Sequence, residues 1–234
     1  MKQKICVSSL FFFLILSFYS CQKSLTDKTS TERMSANYSS TAEADGLAAP
    51  NCGEILRTQT PGGWGADPNG NNPGSYLHAN FAAAFPNGLT IGCEPAYFVK
   101  FTSAQAITDF MPAGGKPRPL TDNFIDPFST DLKNTLVDHV AALSLSVGFD
   151  IYDPGFAPSG FNLGFMVVTS GKFTSKSVND ILAEANRILG GCGSSYSVAD
   201  IVQVLDQINN NYVDGNTNNG FLTCPENRII DPER

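Results

Sequence analysis

Apolar residues recur along the chain at two periods, and the helical one dominates. Leu77, Phe81, Ala84 and Phe85 fall three or four residues apart, the spacing that places side chains on one face of an α-helix. Tyr76 to Phe85 is therefore predicted as helix, stopped by Pro86-Asn87-Gly88. Thr102-Ser103 offers a hydroxyl cap to a short helix over Ala104 to Met111, ended by Pro112. The longest periodic run starts near Ser129-Thr130-Asp131 and carries Leu132, Leu136, Val140, Leu143 and Val147. Its second half, Leu143-Ser144-Leu145-Ser146-Val147, also alternates strictly, so helix and strand both stay open there.

Two later helices are better bounded. Ser177 caps Val178, Ile181, Leu182, Ala185, Ile188 and Leu189, and Gly190-Gly191 supplies a left-handed stop. Ser197 caps Val198, Ile201, Val202, Leu205 and Ile208, ending in Asn209-Asn210-Asn211. Strand-like runs are short: Ile55 to Gln59, Leu89 to Ile91, Tyr97 to Phe101 and Phe165 to Val168. With 21 Gly and 14 Pro in 234 residues, long loops must join these pieces. The expected fold class is mainly α with minor β, a single compact helical domain with short strands and long Gly/Asn/Pro loops.

The N-terminus changes the picture. Lys2 and Lys4 precede the apolar run Leu10 to Leu16, the layout of a secretory signal peptide over residues 1–20. Ser20-Cys21 after that run resembles the lipobox of bacterial lipoproteins, in which the cysteine is acylated and becomes the mature N-terminus. Phe18 and Tyr19 depart from the aliphatic and small residues usual there. Residues 22–50 hold almost no large apolar side chain, so residues 21–50 are expected to form an acylated cysteine and a disordered tether. Lys and Asp soon after the cysteine resemble the surface-export signal of Bacteroidota lipoproteins, and Gln22 is consistent with release to an outer membrane. The folded domain is expected over 51–224, with a C-terminal tail at 225–234. The implied location is the outer membrane or cell surface, held there by a lipid chain such as palmitate.

Cysteine usage fits an oxidising compartment. Of the six cysteines, Cys6 lies in the leader and Cys21 is the lipidation candidate, leaving Cys52, Cys93, Cys192 and Cys224. Four cysteines allow three pairings. Domain ends often lie close together, which favours Cys52–Cys224 and leaves Cys93–Cys192. A net charge of −7 excludes a basic nucleic-acid footprint.

Several segments resemble a module of secreted bacterial cell-surface proteins marked by Gly-Gly-Trp-Gly. They are Thr58 to Gly65, Pro73-Gly74, Phe85 to Gly92 and Thr102 to Ala106, with Ala185-Asn186, Leu189-Gly190-Gly191 and Tyr212-Val213-Asp214-Gly215. The resemblance spans roughly residues 54–223. It implies binding, adhesion or structure rather than catalysis, and carries over no active-site residues.

The loop from Trp64 to Gly74 supplies the binding candidates. An aromatic among short polar side chains is what stacks on and hydrogen-bonds sugars, so Trp64, Asp67, Asn69, Asn71 and Tyr76 are the candidate ligand-binding residues. The opposing reading, preferred for the chain's one tryptophan and modest core, is that Trp64 plugs the core and the glycines let the chain reach it. Asp67, Asn69 and Asn71 alternate, as do Asp214, Asn216 and Asn218, the spacing of oxygen ligands in calcium loops. Neither loop has Gly at the sixth position or Glu at the twelfth, and turn formation explains the same residues. Calcium at Asp214, Asn216 and Asn218 is thus a weak candidate, and no other cofactor is expected.

Enzymatic readings find little support. There are two histidines, His78 and His139, no Gly-x-Ser-x-Gly elbow, and no phosphate loop at Gly171-Lys172. Asp150 and Asp153 could mimic a glycosidase pair, but a turn before Pro154 accounts for them. The expected function is a lipid-anchored surface module with the membrane, a glycan or an envelope protein as partner. An envelope hydrolase acting on polysaccharide or peptidoglycan is the alternative.

Overall fold

The run that could be read as helix or strand is the centre of the domain. In the computed structural model, which describes residues 56–225, it forms a helix, here α4, over Thr135–Tyr152. Leu136, Val137, Val140, Ala141, Leu143, Leu145 and Phe149 are buried around its whole circumference. A helix enclosed on every side has no polar face to give it helical contrast, which is why alternation at Leu143 to Val147 misleads. Ser146 fits inside because its hydroxyl donates to the Ala142 carbonyl at 3.0 Å. The helix begins later than expected because Asn134 caps it, its Oδ1 accepting from Leu136 N–H at 3.1 Å; Leu132 packs in the preceding turn.

Around α4 pack α1 Pro61–Trp64, α2 Pro73–Ala84, α5 Val178–Gly190 and α6 Val198–Asn209, with α3 Ala104–Phe110 against α2. Helices carry the core, and the fold is mainly α with minor β. The α2 helix starts three residues before the expected Tyr76, since Asn72 caps it and Pro73 occupies its first turn. Helices α5 and α6 each open with a reciprocal capping box, Ser177 with Asp180 and Ser197 with Asp200. Gly191 ends α5 at φ 80°, the left-handed conformation a stop there requires.

Strands are few. β1 Leu89–Gly92 runs antiparallel to β2 Phe98–Phe101, with Ile91 opposite Val99, and β3 Phe124–Ile125 adds in parallel beside β2. A second pair joins β4 Val167–Val168 to β5 Leu222–Thr223. Leu163 to Phe165 is a 3₁₀ turn, so the strand expected from Phe165 begins two residues later. Of the run expected over Ile55 to Gln59, Thr58 alone makes a bridge, parallel to Val213. The hairpin β1–β2 is tied to the end of α5 by the disulfide Cys93–Cys192. A Cβ on Gly190 would sit 2.3 Å from Cys93 N, so the two elements meet backbone to backbone there.

Cys224 is disulfide-bonded too, and the Cys52 half of the expected second bridge lies outside the described residues. So do the signal peptide, Cys21, the tether and the tail beyond Pro225. Among the described residues no helix is long and apolar enough to cross a membrane.

Candidate functional site

The Gly-rich segment before Trp64 folds as a single helical turn. Thr60 caps it, with Oγ1 accepting from Gly63 N–H at 3.1 Å, and Pro61 presets the first residue. The turn drives Trp64 into the core, where it is 0% exposed. Its ring lies 5.2 Å from Phe149 and 6.1 Å from Phe156, centroid to centroid. Its Nε1–H donates to the Ala142 carbonyl at 3.2 Å and lies 3.4 Å from Ser146 Oγ. Of the two readings of Trp64 this is the core plug and not the exposed stacking residue: both the ring and its one donor are already engaged inside the protein. The surrounding glycines serve close packing. A Cβ on Gly65 would sit 2.0 Å from the Met111 carbonyl oxygen.

The polar residues of the same loop do meet open space. A cleft of about 790 Å³ is bordered by Arg57 and Gln59, by Asn71 and Asn72, by Ser75, Tyr76 and Asn80 on α2, and by Asp214 and Asn216. Trp64 and Phe156 back its wall. The two Asn/Asp-rich loops, far apart in sequence, therefore face one cavity. What brings them together is a latch beside the cleft: Thr58 N–H donates to the Tyr212 carbonyl at 3.0 Å, and Asp214 N–H to the Thr58 carbonyl at 3.2 Å. Tyr212 N–H donates to Thr58 Oγ1 at 3.0 Å, and Gln59 Nε2 to Asp214 Oδ1 at 2.8 Å.

Not every candidate borders the cleft. Asn71, Tyr76, Asp214 and Asn216 do, whereas Asp67, Asn69 and Asn218 do not. Asn72 organises the first loop, with Oδ1 accepting from Ser75 N–H at 2.8 Å and Nδ2 donating to the Asp67 carbonyl at 2.8 Å. The Oδ1 of Asn218 accepts from Gly220 N–H at 2.9 Å, a local turn bond. Among the described residues no group of three His, Cys, Asp or Glu side chains is placed to hold a metal. Of the oxygens named as calcium ligands, Asn218 Oδ1 holds a turn and Asp214 Oδ1 holds the latch.

The other polar groups once weighed for chemistry also have structural partners. Asp150 is buried and its Oδ2 accepts from Leu163 N–H at 2.8 Å. Asp153 accepts from Gly155 N–H at 2.8 Å and from the Tyr76 hydroxyl at 2.7 Å. Burial first, and then the Asp153 carboxylate, push the Tyr76 phenol well above its ordinary range. Tyr76 therefore stays protonated and donates. His139 does not border the cleft; burial lowers its pKa, and the Asn209 amide donates to its carbonyl at 3.1 Å.

Sequence alone did not single out Arg57, Gln59, Ser75 or Asn80. One signal was present: Asn72, Tyr76 and Asn80 recur every four residues, which places the cap and two polar side chains along one line of α2. Arg57 gave none. No family model matches the chain, and no curated protein or solved structure matches it.

Proposed function

We propose that this chain is an exported, lipid-anchored envelope protein whose folded domain binds a hydroxyl-rich glycan in the cleft. The observation that carries the reading is the convergence of both Asn/Asp loops on one cavity with Ser75 and Tyr76. Amide and hydroxyl side chains that offer donors and acceptors together match sugar hydroxyls, which do the same. Asn71 and Asn216 are exposed, with no side-chain partner among the described residues, and so are free to bond a ligand. The export and anchoring part rests on the leader, Ser20-Cys21 and the resemblance to secreted surface modules.

Two measurements test the reading. On a glycan array, the full chain made in an oxidising host should bind at least one oligosaccharide class. Asn71→Ala with Asn216→Ala should weaken that binding about tenfold or more, since each lost hydrogen bond is worth about 0.5–1.5 kcal/mol. The thermal midpoint should stay nearly unchanged, because both side chains are exposed. No binding to any glycan would overturn the glycan part, and release of reducing ends on incubation would favour a hydrolase. Separately, Cys21→Ser should move the protein from the membrane to the soluble fraction, since acyl chains supply about 0.8 kcal/mol per buried methylene. A Ser variant still in the membrane fraction, with no palmitate label on the wild type, would overturn the anchor.

A further inference from the structure

The cleft contains a cation that makes no ion pair among the described residues. The Arg57 guanidinium carbon lies 5.4 Å from the centre of the Phe156 ring. Its Nε is buried and makes no hydrogen bond. The ion pairs among the described residues are Lys172 with Asp200 and Arg187 with Glu184, so none reaches Arg57. Asp214 in the cleft and Asp153 beside Tyr76 take hydrogen bonds from neutral donors. Asp214 accepts from the Gln59 amide at 2.8 Å, and Asp153 from the Tyr76 hydroxyl at 2.7 Å.

A guanidinium partly withdrawn from water with no direct ion pair or hydrogen bond at its Nε is costly. The ring engages the cation without taking a hydrogen bond, so its Nη groups keep their donors for an acceptor, and a carboxylate is the acceptor that fits two N–H groups at once. We infer that the cleft takes an acidic glycan, a uronic-acid oligosaccharide whose carboxylate sits on Arg57 while its hydroxyls meet Asn71, Ser75 and Asn216. The inference rests on the glycan reading of this cleft and adds a charge requirement to it. A peptide C-terminus carries the same carboxylate, but the groups beside Arg57 are short and polar, and the rings of Trp64 and Phe156 are already buried in the core. They offer little to an apolar peptide side chain. With the chain at −7 overall, recognition of an anion here is by contact and not by a long-range field.

Calorimetric titration of the full chain tests this. The probes are tetramers of galacturonate, glucuronate and mannuronate, their methyl esters, and the neutral hexose tetramers. At least one uronate should bind about 10- to 100-fold more tightly than its own ester, the range for a hydrogen-bonded charge. Arg57→Gln should collapse the acid-to-ester ratio to about one, with Arg57→Lys in between. Should Arg57→Gln fail to fold, the acid-to-ester ratio on the wild type decides by itself. Equal affinity for acid and ester overturns the charge requirement and leaves the glycan reading standing. No affinity for any saccharide overturns both. Binding of tetra-alanine but not its C-terminal amide, with saccharides inert, overturns the acidic-glycan inference and gives Arg57 to a peptide.

Discussion

Trp64→Ala should cost about 3–5 kcal/mol of folding stability, the range for deleting a large buried aromatic side chain. Trp64 is fully enclosed, against Phe149 at 5.2 Å and Phe156 at 6.1 Å, and such ring pairs add about 0.5–1.5 kcal/mol beyond area burial. The hydrogen bond from its indole contributes little to the loss, because Ser146 Oγ still donates to the Ala142 carbonyl without it. The cavity accounts for most of the cost. Urea unfolding of wild type and variant measures the difference directly. The protein has one tryptophan, so its native emission reports this site alone; it should be blue-shifted and resist iodide quenching. A quenchable, red-shifted emission with a loss under about 1 kcal/mol would put Trp64 at the surface, contrary to its packing.

Removing the bridge between Cys93 and Cys192 should cost nearly as much. The two cysteines are 99 residues apart, and closing a loop of that length withdraws about 4–5 kcal/mol of entropy from the unfolded chain, with engineered changes often showing less. For a domain of this size that corresponds to a fall in melting temperature of roughly 10–20 °C. The double substitution Cys93→Ala with Cys192→Ala is cleaner than a reductant, which would also open the disulfide at Cys224. It leaves Tyr97 N–H bonded to the Gly190 carbonyl at 3.1 Å, so the hairpin keeps its hydrogen bond to α5. A fall below about 2 °C by calorimetry would mean that the unfolded chain is held together there by other means.

The parts of this fold legible in sequence are those whose causes lie within one short segment. Helices α5 and α6 could be read because cap, apolar stripe and stop all fall within about one helix length. Helix α4 was half legible: its burial on all sides removes the contrast that periodicity depends on. Helix α1 was missed because four residues carry no period, and its glycines look like a loop. The cleft failed for a different reason. Arg57 and Gln59 sit in a run that looks like a short strand, and Asp214 and Asn216 look like turn residues. Nothing local says that Thr58 bonds Tyr212. Trp64 shows the limit most plainly, since Gly, Asn and Asp around an aromatic describe a recognition loop and a capped turn equally well. What decides between them is the hole that Phe149 and Phe156 leave for it.

The latch between Thr58 and Tyr212 also sets when the site can exist. The hydrogen bond from Gln59 to Asp214 spans 155 residues of chain. A protein made from its N-terminus must therefore hold Arg57 and Gln59 without their partners until almost the whole domain has been synthesised. The helices can form earlier from local contacts, while the closure of the longest loops comes late. The cavity is thus among the last things this chain builds, and a copy clipped before Tyr212 would carry the α2 side of the cleft without Asp214 and Asn216.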